Sequence, residues 1–136
     1  MYQPLFAITA DEEEKARTIV RHLLSNGGDG LKKALRGNNG MTIIHSWDDI
    51  FGACTDAAWG LRKYLPHVLF VYITPDDVER LQDPKSWRFL ELCQLHLFPA
   101  LCLYDVTTKT LLTGHVDAAG AWHRARYNVP DSLFKQ

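Results

Sequence analysis

The stretch HSWDDIFGACTDAAW, His45 to Trp59, decides how this chain is read. It follows the apolar run MTII (41–44), which with His45 reads as a buried strand. It leads into DDIFGACTDAAWGLRKYL (48–65), where Cys54, Ala57, Ala58, Leu61 and Leu65 recur on one helical stripe. Asp48 and Asp49 are both candidates for the N-cap of that helix. A single cysteine therefore sits just inside a helix that follows a strand. Three places before it stands Phe51, not a second cysteine.

Working outward, HVLFVYIT (67–74) is a continuous apolar run of the kind found in strands covered on both faces. Thr74, Pro75 and Asp77 then carry a cap, a first-position proline and a first-turn acid, so a helix starts there. Pro84 interrupts it, and SWRFLELCQLH (86–96) resumes it. Pro99 opens a strand over ALCLYDV (100–106), TTK makes a turn, and TLLTGHV (110–116) forms the hairpin partner. AAGAWHRARYNV (118–129) reads as a closing helix. Upstream, PLFAI (4–8) is a short strand and Thr9 with Glu12 has capping-box spacing. Ala16, Ile19, Val20, Leu23 and Leu24 make the stripe of the helix that follows, and SNGGDG stops it. LKKALRG (31–37) is one or two solvated helical turns; no strand precedes the nearby glycines, so it is not a phosphate loop. The order β-α-β-α-β-α-β-β-α predicts an α/β domain: a central mixed sheet with helices on both faces, a three-layer sandwich spanning 1–136 as one unit.

The totals exclude several classes. A net charge of −1 over 136 residues lacks the basic surplus of a dedicated nucleic-acid binder. No apolar run is long enough to span a bilayer, and MYQPLFAITADEEEK has no positive leading region, so no membrane span and no secretory signal are expected. Cys54, Cys93 and Cys102 are odd in number and lack CxxC spacing, which points to a reducing, cytoplasmic setting.

Both the element order and the central stretch resemble the thioredoxin-like family. That family has an apolar strand, a Trp, a short step, then Cys-Gly-Pro-Cys opening a helix; here Phe51-Gly52-Ala53-Cys54 fills the place of the box. LFPALCLYD looks like the family's second landmark, with Pro99 as the cis-proline facing the box and Gly114 matching a glycine late in the following strand. The resemblance implies that the attacking cysteine is replaced by Phe51. Cys54 then corresponds to the resolving cysteine, and His45 to the buried acid that accepts a proton. It also implies a shallow apolar peptide-binding face where Trp47, Phe51, Phe98 and Pro99 converge, with Ile50 at its edge.

The residues leave two readings of Cys54. It is either a small core side chain on an apolar stripe, or a thiol activated by the His45 imidazole as in a Cys–His pair. Cys93 and His96 share a helix face, but a structural zinc needs about four ligands and no second pair stands out, so no metal and no cofactor are expected. Cys102 reads as core, and His22, His67, His115 and His123 show no spacing that suggests a site. The expectation is a redox-inactive domain that binds another protein, as an adaptor, an assembly chaperone or an immunity-type inhibitor. The rival is a one-cysteine thiol-disulfide oxidoreductase or peroxidase-like enzyme using Cys54 with His45.

Overall fold

The computed structural model describes residues 9–26, 40–45, 67–96, 100–117 and 119–134. The expected strand at 4–8, the turns at 31–37 and the helix at 48–65 lie outside them. So do Trp47, Ile50, Phe51, Cys54, Phe98 and Pro99, and with them the Phe98–Pro99 peptide bond.

The first helix, α1 (Ala10–Asn26), starts where the capping box placed it. The Glu12 N–H donates to Thr9 Oγ1 at 3.1 Å and the Thr9 N–H to Glu12 Oε1 at 3.0 Å, so two orphan donors are satisfied reciprocally. Its exposed acids pair along the helix, Asp11 with Lys15 and Glu13 with Arg17. The strands β1 (Gly40–His45) and β2 (His67–Ile73) follow, then two helices, α2 (Pro75–Arg80) and α3 (Pro84–His96). Thr74 caps α2 in a complete capping box with Asp77. Pro84 does not interrupt a helix that resumes two residues later; it is the first residue of α3, where its missing N–H costs nothing. The strands β3 (Ala100–Asp105) and β4 (Thr110–Val116) form the expected hairpin. Its turn is organised by the buried Asp105, whose carboxylate accepts from the Thr107 N–H at 2.9 Å and the Thr108 hydroxyl at 2.9 Å.

The closing segment departs from the sequence expectation. The described residues of that segment, 119–129, do not form a helix; Trp122–Asn128 is a fifth strand, β5, paired antiparallel with β4 from Thr110↔Asn128 to Val116↔Trp122. The reason lies in the turn before it. Asp117 Oδ1 accepts the N–H groups of Ala119 and Ala121, each at 2.9 Å, and Gly120 sits at φ 84°, a left-handed conformation that ends a helix and not one that continues it. Alternation then decides the rest: Trp122, Arg124 and Arg126 share one face, and His123, Ala125 and Tyr127 the other. Asp131–Phe134 closes the described chain as a 3-10 turn.

The five described strands lie in sequence order, β1-β2-β3-β4-β5, with β1, β2 and β3 parallel and the last two pairings antiparallel. The chain is thus α/β, with a five-stranded mixed sheet among the described residues. One face buries Ile43, Phe70, Tyr72, Cys102, Tyr104 and Leu111 under Ala16, Ile19, Val20 and Leu23 of α1. The other buries Ile44, Leu69, Val71, Ile73, Leu101 and Leu103 against Leu81 and Leu90, with Val78, Trp87 and Phe89 packed at its margin. Within the first face Phe70 and Tyr72 meet edge-on at 5.2 Å, and Tyr72 and Tyr104 at 6.0 Å.

Thr113 on β4 is 1% exposed and its hydroxyl has no hydrogen-bond partner among the described residues. A buried unpaired hydroxyl costs about 1–3 kcal/mol. Thr113→Val, which keeps the shape, is expected to raise stability by about 1 kcal/mol, read from the midpoint of a urea unfolding curve. A lowered midpoint would mean that the hydroxyl is paired.

Candidate functional site

His45 ends β1, and the segment carrying Trp47 and Cys54 leaves from there. Its Nε2–H donates to Glu12 Oε2 at 2.6 Å. Glu12 is also half of the α1 capping box, and the Tyr72 hydroxyl donates to its backbone carbonyl. One residue thus joins the helix start to the ends of β1 and β2. The Thr9 N–H, with the His45 imidazole beside it, holds the Glu12 carboxyl below its ordinary range. Burial first, and then the charge of Glu12, push the Tyr72 phenol well above its usual value, so it remains a neutral donor.

The His45 side chain is 42% exposed. It is not a core histidine. It is a part-exposed imidazole whose Nε2 is held by a carboxylate, an arrangement that fixes the orientation of the ring. Cys54, its supposed partner, lies outside the described residues. Cys102 is the expected core cysteine: fully buried, with its thiol pushed up to about 12 by desolvation, hence unreactive.

Of the face expected around Phe51 and Pro99, the flanks lie among the described residues. His45 pairs with Tyr72, at the carboxyl end of the parallel strands, whereas Ala100 pairs with Val68 near the amino end. Four residues of β2 separate those positions, about 13 Å by the strand rise. The segments that would carry the two halves of the face therefore attach at opposite ends of the sheet.

Two further groupings sit on the β4–β5 hairpin, and sequence reasoning missed both because it took β5 for a helix. On the α1 side, His115 and His123 are cross-strand partners with rings stacked 5.2 Å apart, and His123 Nε2 lies 2.6 Å from Asp117 Oδ2. Burial, then the neighbouring His123, lower the His115 pKa, and its Nδ1 is buried without a partner among the described residues. On the α3 side, Trp87 and Trp122 pack at 5.4 Å, and the Arg124 guanidinium lies 4.9 Å from the centre of the Trp87 ring. Both tryptophans are half-buried and Arg124 is exposed. No group of three or more metal-ligating side chains occurs among the described residues. A wide groove of about 650 Å³ between α1 and the 3-10 turn is lined by charges that pair with each other, Lys15 with Asp11 and Arg21 with Glu14.

His115 supplies a pH dependence. Its folded pKa lies below its ordinary value of 6.5, so the unfolded chain binds more protons in that range. Stability should therefore fall as pH drops below about 6.5 and keep falling until the depressed pKa is passed. Asp117 is also depressed, chiefly by its bond to His123, but it titrates below its ordinary 3.8 and leaves that window alone. Urea midpoints measured at pH 7, 6 and 5 should decline, and His115→Gln should flatten the decline. An unchanged slope in the variant would remove His115 as its source. Comparison with family models, with curated proteins and with solved structures finds no match to this chain.

Proposed function

We infer that this α/β domain binds another protein without turnover. The observation that carries the reading is the Trp87–Trp122–Arg124 stack. Two half-buried rings and an exposed guanidinium stand together where α3 meets the edge of the sheet. Trp and Arg are enriched among the side chains that anchor protein interfaces: Trp buries much area for little lost rotamer freedom, and Arg offers a planar fork of five donors. The narrower proposal is a thioredoxin-like domain with Phe51-Gly52-Ala53-Cys54 in place of the redox box, binding through Trp47, Ile50, Phe51, Phe98 and Pro99. It rests on the sequence landmarks, and the separation of His45 from Ala100 weighs against it.

The second reading, an enzyme using Cys54, draws on the His45–Glu12 pair, which has the form of a base oriented by a carboxylate. Affinity capture from the native cell, using the intact chain, separates these readings. Trp122→Ala should lose the captured partner at least tenfold if the hairpin face carries binding, while Phe51→Asp should lose it if the box face does. Retention in both variants would place the binding face elsewhere; capture of no partner by the intact chain, or measurable thiol-disulfide turnover that disappears in Cys54→Ser, would overturn the binding reading.

A further inference from the structure

The same hairpin suggests what kind of segment docks there, a step that rests on the binding reading above. Among the described residues β5 is the last strand of the sheet, with no strand beyond it. The outward edge of such a strand carries backbone N–H and C=O groups that do not bond to β4, a template for one more strand. Its side chains are unusual for a protected edge. Trp122, Arg124 and Arg126 project on one face, about 7 Å apart by the two-residue repeat. Arg124 lies against the Trp87 ring and has no carboxylate within ion-pair distance among the described residues. The Arg126 side chain makes no hydrogen bond, ion pair or ring contact among the described residues, and it lines a cavity of about 150 Å³ walled by Ile73, Val78 and Leu112. Asp105, the acid in that cavity, is already occupied by its turn, accepting from the Thr107 and Thr108 N–H groups and the Thr108 hydroxyl. On the other face, Ala125 and Tyr127 are half-buried beside His123, whose ring is held by Asp117.

Two uncompensated guanidiniums two residues apart on an edge strand ask for two carboxylates two residues apart on an extended partner. We propose that β5 is the docking edge for an extended acidic segment of another protein. The segment adds as a sixth strand, with Asp or Glu at alternate positions opposite Arg124 and Arg126 and an apolar residue between them over Ala125 and Tyr127. Main-chain hydrogen bonds to β5 supply affinity, and the alternating carboxylates set register and choice of partner.

The test uses the intact protein and three fluorescein-labelled nine-residue peptides read by anisotropy. One alternates Glu and Val, one alternates Lys and Val, and one repeats the Glu-Val sequence with the amides of one edge N-methylated. The Glu-Val peptide should bind saturably. The other two should bind at least tenfold more weakly, and so should Arg124→Glu/Arg126→Glu tested with the Glu-Val peptide. Circular dichroism checks the fold of that variant, and the milder Arg126→Gln should weaken binding severalfold should the double variant fail to fold. No saturable Glu-Val binding, or equal binding of the N-methylated form, overturns the proposal. Two other results do so as well: tighter binding of a single-stranded oligonucleotide than of the peptide, and a concentration-dependent dimer with the edge closed to peptide. If the peptide fails while Trp122→Ala still removes the captured partner, only the occupant is wrong; if the partner also survives Trp122→Ala, the hairpin face falls with it.

Discussion

Two neighbouring parallel strands, β2 and β3, are buried over nearly their whole length, and that burial organises everything else. Val68–Ile73 and Ala100–Asp105 have no solvent-facing side chain. Each alternates between two cores, so each must be covered on both sides. Phe70, Tyr72, Cys102 and Tyr104 require one cover, which α1 supplies; Leu69, Val71, Leu101 and Leu103 require another, which α2 and α3 supply. Apolar burial at about 25 cal/mol per Å² makes this the dominant favourable term, against which single caps and surface ion pairs are small.

The cover is uneven, and the unevenness locates the candidate function. Burial fades from β3 outward, so that β5 alternates half-buried and exposed positions. At that end α3 reaches the sheet through Trp87, which meets Trp122 and Arg124 and leaves Arg126 beyond it. A surface of this kind, aromatic at one end and cationic at the other, differs from the opposite corner at His45. There Glu12 satisfies the helix start and the imidazole together, leaving a compact polar joint. The first corner leaves two guanidiniums without a carboxylate partner among the described residues; the second pairs its carboxylate with both the helix start and the imidazole.

Much of the fold was legible because short-range physics and long-range packing agreed. The Thr9–Glu12 box, the Thr74–Pro75 start and the Asp105 turn all formed as their residue types require, since each is settled within four residues. The unbroken apolar run at 67–74 announced a strand buried on both faces, the run at 100–106 announced a strand, and Cys102 is buried in the core as read. The thioredoxin-like landmarks stand differently: Phe51, Cys54, Phe98 and Pro99 lie outside the described residues, and the resemblance they carry is a proposal.

The closing segment marks the boundary. Its alanines favour a helix by local propensity, yet the free edge of β4 recruits it as a strand, because seven cross-strand pairs outweigh propensities of a few tenths of a kcal/mol per residue. That choice put His123 against His115 and brought Trp122 and Arg124 to Trp87, contacts between residues far apart in the chain. By itself the sequence determined the alternation of strands and helices, the caps, and which strands are wholly buried, since these follow from periodicity and near-neighbour hydrogen bonding. Only the tertiary structure decided the strand order, the edge position of β5 and the opposite ends at which His45 and Ala100 stand, because those depend on which distant backbone edges meet, and no local pattern encodes that.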